Sequence, residues 1–274
     1  MTLANAMLVF RKDWLEIKRN MQVIAPIVFV PLIFTIILPL IVIVVPTVVG
    51  MPGTQFQFVG TLFQSLPPDV RAAVAGMSAE QSMIYVFTLY FFAPFFLIIP
   101  LMASSVLASD SFAGEKDRKT LEALLATPLT DGELMLGKIL VSFLPSMAVT
   151  ILAFALYTVV VDLAAYGIFG GVLLLPNLLW IALVFGVTPT VALAGIGVTV
   201  IVSAKVKGYR EAQQLSAILV LPILALIFAQ IGGAVFFGPL MILILVAVFA
   251  AIDVVVFMIG MRLFHREEIL MKVL

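Results

Sequence analysis

Three residues of this sequence have the spacing of a phosphate-binding loop. Gly132, Gly137 and Lys138 satisfy the G-x-x-x-x-G-K part of that motif, in which backbone N–H groups and the lysine hold nucleotide phosphates. The next residue is Ile139, where the motif needs a Ser or Thr to reach Mg²⁺, and no strand is predicted before the glycines. We therefore expect no nucleotide site here. We expect a helix break at the glycines and an interfacial lysine whose ammonium group extends toward the lipid headgroups.

The remaining candidates for chemistry are isolated in the sequence. The chain has no cysteine and a single histidine, His265, which lies among charged residues and is expected to be solvated rather than a metal ligand. Asp253 is the only ionisable side chain deep in a predicted membrane span, and Arg262 follows it nine residues later, which corresponds to about 13 Å of helix. Two interpretations stay open. In the first, Asp253 lies on a translocation path, where it contacts a substrate or takes up a proton. In the second, Asp253 only fixes helix packing, because it is neutral or is hydrogen-bonded to a group such as Gln230.

The composition requires a lipid environment. Of the 274 residues, 64% are hydrophobic and 11% are charged, and the mean hydropathy is +1.26, whereas soluble domains carry about 25% charged residues. The apolar residues form charge-free runs long enough to cross a bilayer, which needs roughly 20 residues. The formal net charge is zero, so the bulk charge gives no indication of a nucleic-acid partner.

The apolar runs predict an all-α membrane protein with six transmembrane helices in one domain, residues 1–274. The predicted spans cover about residues 22–46, 83–108, 139–161, 174–203, 213–231 and 239–261. An amphipathic interfacial helix is predicted over residues 2–20, and its apolar face holds Leu3, Met7, Phe10, Trp14 and Ile17. A short helix with Asp69 in its first turn is expected over residues 67–77, between the first two spans.

The distribution of lysine and arginine supports this count of spans. With six spans, fourteen of the fifteen basic residues fall on one side of the membrane, and only Arg71 lies on the other side. Splitting residues 163–204 into two spans would move six of the fourteen to the outside, against the positive-inside rule. The sequence therefore predicts that both termini are cytosolic.

The most informative part of the sequence is the charged stretch of residues 110–138, between the second and third spans. After Glu115 to Lys119, an apolar face formed by Leu121, Leu124 and Leu125 predicts a short helix that Pro128 ends. Such a helix outside the membrane either rests on the protein's own spans and the lipid headgroups or docks in a groove of a soluble partner.

At these residues the sequence resembles the type-two permeases of ABC transporters. The resemblance lies in an acidic pair, a T-L-E-x-L-L-x-T-P-L run and a later G-K, formed by Glu115, Asp117, Thr120, Leu121, Glu122, Leu124, Leu125, Thr127, Pro128, Leu129, Gly137 and Lys138. The layout of an amphipathic N-terminal helix, six spans and a cytosolic coupling helix between spans two and three also matches. Lys119 is a departure, because a glycine is expected just before the T-L-E.

The resemblance implies a homodimer of permeases in the cell membrane, clasped by two ATPase subunits that supply ATP and Mg²⁺. This chain would then hold no cofactor and would not be an enzyme itself. The expected function is export driven by ATP hydrolysis in the partner; the alternative is an ATP-independent secondary transporter or a membrane scaffold. The expected contacts with the ATPase subunit are Glu115, Asp117, Arg118, Thr120, Leu121, Glu122, Leu124, Leu125, Thr127, Pro128, Leu129, and, in a second loop over residues 205–214, Lys207 and Arg210.

Overall fold

The computed structural model describes residues 3–49, 66–120, 127–206 and 208–263, and every regular element in these ranges is helical. Six of the helices are long and apolar enough to span a membrane, which confirms the predicted all-α membrane fold. In chain order the helices are α1 Leu3–Ile17, α2 Met21–Val48, α3 Pro68–Val74, α4 Ala79–Asp117, α5 Asp131–Ala165, α6 Leu178–Lys205, α7 Tyr209–Ile231 and α8 Pro239–Leu263.

Several helices differ in length from the predicted spans. Helix α4 continues to Asp117 and α5 begins at Asp131, so both extend beyond their apolar runs into the charged stretch. Helix α6 begins at Leu178 rather than residue 174, because Asn177 caps it by accepting a hydrogen bond from the backbone N–H of Trp180 at 3.0 Å. Helix α7 begins at Tyr209, so most of the predicted second internal loop is helical.

Helix α4 forms the centre of the bundle. It packs against α2, α5, α6 and α7, and most of its apolar window is buried. Helix α8 packs mainly against α6 and leaves most of its surface uncovered by the described residues. The predicted short helix between the first two spans is present as α3, with Asp69 in its first turn, and it packs Val70 and Val74 against the beginning of α4.

The amphipathic helix α1 is present, and part of its predicted apolar face packs against the protein, since Ile17 is buried and Phe10 and Trp14 pack beside it. Ala6, Val9 and Asp13 are buried against α5, whereas Leu3 and Met7 are exposed. A Cβ atom on Gly137 would lie 2.6 Å from the carbonyl oxygen of Ala6. Gly137 therefore permits close contact between α5 and α1. Because α5 continues through Gly137 without interruption, the predicted helix break is wrong.

The first part of α4 contains a π-helical turn, Phe87–Phe91, and three of its backbone carbonyls accept hydrogen bonds from three neighbouring helices. Tyr157 of α5 donates its hydroxyl to the carbonyl of Thr88 at 2.7 Å, the indole Nε1 of Trp180 in α6 donates to Leu89 at 3.0 Å, and Gln230 of α7 donates to Tyr90 at 3.1 Å. Pro94 lacks the N–H that would otherwise bond to Tyr90. We call this group the π-turn lock; it ties the central helix to its neighbours.

The π-turn lock corrects the suggested role of Gln230. Its side chain is buried and donates to Tyr90, so it is not a hydrogen-bond partner of Asp253. Asp253 lies beside Met135, near the start of α5, whereas Tyr157 of the lock is near the other end of that helix. The structure therefore does not bring Asp253 and Gln230 together.

Candidate functional site

The ends of α4 and α5 flank the predicted coupling segment, residues 115–130. Asp117, Arg118 and Pro128 are exposed, and Thr120, Thr127 and Leu129 are half-buried. The central residues Leu121, Glu122, Leu124 and Leu125, together with Lys207, lie outside the described residues. The structure thus defines how the segment is attached at both of its ends.

Helix α4 ends in a Schellman motif at Lys119. The backbone N–H of Thr120 donates to the carbonyl of Glu115 at 3.0 Å, and that of Lys119 donates to Lys116 at 3.2 Å. Lys119 adopts φ = 55°, a left-handed conformation that glycine adopts without steric cost. This conformation accounts for the glycine expected at this position from the family resemblance.

Helix α5 begins with a capping box. The hydroxyl of Thr130 accepts from the backbone N–H of Glu133 at 3.3 Å, and the Glu133 carboxylate accepts from the N–H of Thr130 at 3.0 Å. The cap lies two residues after Pro128. The chain therefore leaves the coupling segment and enters the third span in a fixed direction.

Four charged side chains at the base of the coupling segment form a buried group, which we call the ion cluster. It consists of Lys12 and Asp13 from α1, Glu115 from α4 and Lys138 from α5. The Glu115 carboxylate lies 2.7 Å from Lys12 Nζ and 2.9 Å from Lys138 Nζ, and Asp13 lies 3.1 Å from the first lysine and 3.4 Å from the second. Three helices from distant parts of the sequence are thereby joined at one point.

The ion cluster is electrostatically balanced, since its two lysines face two carboxylates. Lys138 and Glu115 are almost completely buried, and such charges are tolerated when they are paired and hydrogen-bonded. Lys138 also donates to the carbonyl of Ser111, whose hydroxyl donates to Asp13 at 2.7 Å. Burial lowers the pKa of Lys12, but the charges of Asp13, Glu115 and Glu16 outweigh this effect and raise its pKa above the ordinary value.

A second, more exposed set of polar contacts surrounds Arg118. Its guanidinium lies 3.1 Å from the carboxylate of Asp110 and 3.4 Å from that of Glu16. The same Asp110 carboxylate accepts from the side chain of Asn20 at 3.1 Å, and Asn20 caps α2. The residues just before the coupling segment are therefore connected to the first span as well as to α1.

The second internal loop contacts the first one. The Asp117 carboxylate accepts from the backbone N–H of Tyr209 at 2.8 Å, and Lys116 donates to the carbonyls of Ser203 and Val206 at 2.6 and 3.2 Å. A Cβ atom on Gly208 would lie 1.9 Å from Asp117 Oδ1, so the close approach requires glycine. Arg210 is exposed beside this contact.

The sequence matches a known family over residues 7–237, and this family is described as ABC-2 family transporter protein. The chain belongs to this family. The match runs from α1 to beyond the end of α7 and stops before α8. No curated protein and no solved structure matches the chain. The chain is thus an ABC-2 permease, a membrane component of an ABC transporter.

The phosphate-loop spacing has a different role in this ABC-2 permease. Gly132, Gly137 and Lys138 all lie within helix α5, so the intervening backbone does not form a loop around phosphate. Lys138 is 1% exposed and faces Glu115 and Asp13. The prediction that it extends toward the lipid headgroups is wrong.

The structure separates the predicted contact residues of the permease into two groups. Asp117, Arg118, Pro128 and Arg210 are exposed, whereas the Glu115 side chain is inside the ion cluster. The sequence did not predict that Lys12, Asp13 and Lys138 meet in the ion cluster. The capping box of α5 was also not predicted, although the T-x-x-E pattern of Thr130 and Glu133 is visible in the sequence.

Proposed function

We propose that this chain is the membrane-spanning subunit of an ATP-driven exporter and that a separate ATPase subunit docks on the coupling segment. The observation that carries the proposal is the attachment of this segment to buried ion pairs at its base, in a chain that belongs to the ABC-2 family. A loop that only connected two spans would not need two fully buried charges beneath it.

The proposed mechanism is a rigid transmission of movement. Movement of the ATPase subunits around ATP displaces the coupling segment, and the ion cluster makes α1, α4 and α5 move with it. The π-turn lock then connects α4 to α5, α6 and α7 in the outer half of the bundle. Both connections lie on α4, so the central helix carries the displacement across the membrane.

Contacts with the ATPase subunit are assigned to the exposed and half-buried residues of the two loops. Glu115 is reassigned as a positioning residue, because its carboxylate is buried between Lys12 and Lys138. The remaining proposed contacts are Asp117, Arg118, Thr120, Leu121, Glu122, Leu124, Leu125, Thr127, Pro128, Leu129, Lys207 and Arg210. ATP and Mg²⁺ belong to the partner in this proposal.

The proposed assembly is a homodimer in the cell membrane, with both termini in the cytosol. Helices α2, α7 and α8 have mostly uncovered apolar surfaces in the described chain, with Phe29, Phe228 and Leu243 among their exposed side chains. These surfaces suit lipid and a second copy of the chain.

Single cysteines can test the orientation in this cysteine-free protein: an impermeant thiol reagent should label Val172→Cys from outside intact cells and should not label Lys205→Cys.

The decisive experiment for the coupling assignment is a charge placed on the apolar face of the segment. The double change Leu124→Asp and Leu125→Asp should abolish co-purification with the ATPase subunit and leave membrane insertion intact. The matched control, Leu124→Met and Leu125→Met, keeps an apolar face of similar volume and should retain the partner. Normal ATPase binding by the aspartate variant would show that the segment is not the docking site. Absence of any ATPase association by the wild type would support the rival interpretation, a secondary transporter or a scaffold.

A further inference from the structure

An apolar groove lies on the side of the bundle between α5 and α8. Its volume is about 490 Å³, within the range of small-molecule sites, roughly 300–1,000 Å³. Helix α6 packs against both helices and supplies residues between them, including Leu193 and Val200, while Ile139 lines one side and Phe257 the other. The groove is half-open, so a molecule in the membrane can enter it from the side.

Asp253 is the only polar residue among those that line the groove. Its Oδ1 is shielded from solvent and has no hydrogen-bond partner among the described residues. A carboxylate about 13 Å from the cytosolic end of a membrane helix is costly unless something pairs with it. No lysine or arginine lines the groove, so the described chain supplies no counter-ion.

The chemistry around Asp253 favours an organic cation over a metal ion. A hard metal ion needs about six oxygen ligands, and the groove offers one carboxylate surrounded by methionine, leucine, isoleucine and valine side chains. Phe257 lies one helical turn after Asp253 and also lines the groove. A carboxylate and an aromatic ring on one helix face provide the two contacts that an organic cation prefers.

We propose that the groove between α5, α6 and α8 binds a lipophilic organic cation, with its charge against Asp253 and its hydrocarbon body along the apolar walls. The groove is lined in part by Met135, which lies close to the start of α5 and to the coupling segment that precedes it. A ligand would therefore enter from the inner leaflet. Binding deepens the proposed function by naming a ligand class, and transport of that ligand rests on the proposed function.

The experiment measures binding of radiolabelled tetraphenylphosphonium to the purified full-length chain in lipid nanodiscs, without ATP or an ATPase subunit. Tetraphenylborate serves as a probe of the same shape and opposite charge. The wild type should bind the phosphonium at least about tenfold more tightly than Asp253→Asn does, and borate binding should not weaken in the variant. Asp253→Glu should retain most of the phosphonium affinity.

A matched control separates loss of charge from damage to the helix. Val255→Asn introduces the same amide on α8 at an exposed position that does not line the groove, and it should leave phosphonium binding unchanged. Equal phosphonium binding by the wild type and Asp253→Asn, or no binding by the wild type, would overturn the proposal. Efficient disulfide formation between two copies of Val254→Cys in membranes would also overturn it, because a second copy would then cover the groove.

Failure of this proposal is distinguishable from failure of the proposed function. The binding assay needs no ATPase subunit, and the co-purification test of the coupling segment needs no ligand. If phosphonium binding does not depend on Asp253 but the ATPase subunit still docks, only the proposed cation site is rejected. If the chain binds the cation but never associates with an ATPase subunit, only the ATP-driven mechanism is rejected. The assignment of the groove as a cation site is then retained.

Discussion

Two buried polar groups hold the central helix α4, and they use different chemistry. Near the end of α4, the ion cluster pairs charged side chains of α1, α4 and α5. Near its start, the π-turn lock uses neutral donors from Tyr157, Trp180 and Gln230 to satisfy backbone carbonyls. Charge is placed where three helices meet, and neutral hydrogen bonds are placed among the apolar side chains of the core.

The difference follows from what each environment penalises. An unsatisfied carbonyl in hydrocarbon costs several kcal/mol, and a neutral donor removes that cost without bringing in a charge. A buried ion pair offers little net stability over apolar residues, but loss of one partner is severe because the other charge stays buried. The fully buried members of the ion cluster, Glu115 and Lys138, should therefore respond sharply to single substitutions, whereas partly exposed Lys12 and the π-turn lock should respond mildly.

The largest effect is expected for Lys138→Met. The change keeps an unbranched side chain of similar length but leaves Glu115 and Asp13 with only the partly exposed ammonium group of Lys12. We expect a loss of about 3–5 kcal/mol in the free energy of unfolding, measured by thermal or denaturant unfolding of the purified protein in detergent. Lys18→Met is the control, because Lys18 is exposed, and it should change stability little.

A double substitution sharpens the first prediction. Adding Glu115→Gln to Lys138→Met removes one of the buried carboxylates, so the pair should be less destabilising than the sum of the two single changes. Strict additivity would contradict a direct interaction across the 2.9 Å contact. The same variants should also weaken ATPase co-purification if the ion cluster positions the coupling segment.

A smaller effect is expected for Tyr157→Phe in the π-turn lock. The substitution removes only the hydroxyl that donates to the Thr88 carbonyl. Hydrogen bonds inside membrane proteins contribute about 0.6 kcal/mol on average and up to about 1.7 kcal/mol, so a loss near 1 kcal/mol is expected. Tyr166→Phe is the matched control, since Tyr166 is 55% exposed; an equal loss in both variants would show that the Thr88 contact is not responsible.

The pH dependence of Lys12→Met tests the electrostatics of the ion cluster. The pKa of Lys12 is raised in the folded protein, so its contribution to stability is complete below its ordinary pKa and is lost only as the pH rises through the folded value. Lys12→Met should therefore cost about 1 kcal/mol or less, because water screens a partly exposed ammonium group. The difference from the wild type should stay constant between about pH 7 and pH 9; a difference that disappears within this interval would contradict the raised pKa.

The sequence predicted the fold well because lipid imposes a simple rule on it. Each span needs a long apolar run with its backbone bonded internally. Each run can therefore be recognised from its own local sequence, without knowledge of the other spans. The coupling segment, predicted from its charged flank and Pro128, stays a prediction. The ion cluster was not predicted, because its pairs join residues far apart in the chain, 103 positions for Lys12 and Glu115 and 125 for Asp13 and Lys138.

Helix rotation was the other quantity that the sequence left open. Apolar residues occur on every side of a membrane helix, so periodicity does not reveal which side faces the protein. For this reason the sequence did not predict that Asp13 is buried, or that the apolar face of α1 is divided between buried Ile17 and exposed Leu3 and Met7. Gln230 was likewise suggested as a neighbour of Asp253, although it bonds to Tyr90 of α4.

The smallest effect is expected at Lys119, where the coupling segment leaves α4. Its left-handed conformation, φ = 55°, costs a residue with a Cβ atom roughly 1–2 kcal/mol, and glycine avoids this cost but gains entropy in the unfolded state. Lys119→Gly should therefore stabilise the protein by about 0.5 kcal/mol, detectable as a small rise in the unfolding midpoint. Lys119→Ala is the matched control: it removes the same charge but keeps the Cβ atom, so it should not raise the midpoint. A gain in both variants would assign the effect to the lost lysine charge instead of the Schellman motif, whose hydrogen bonds from Thr120 and Lys119 are the same in either case.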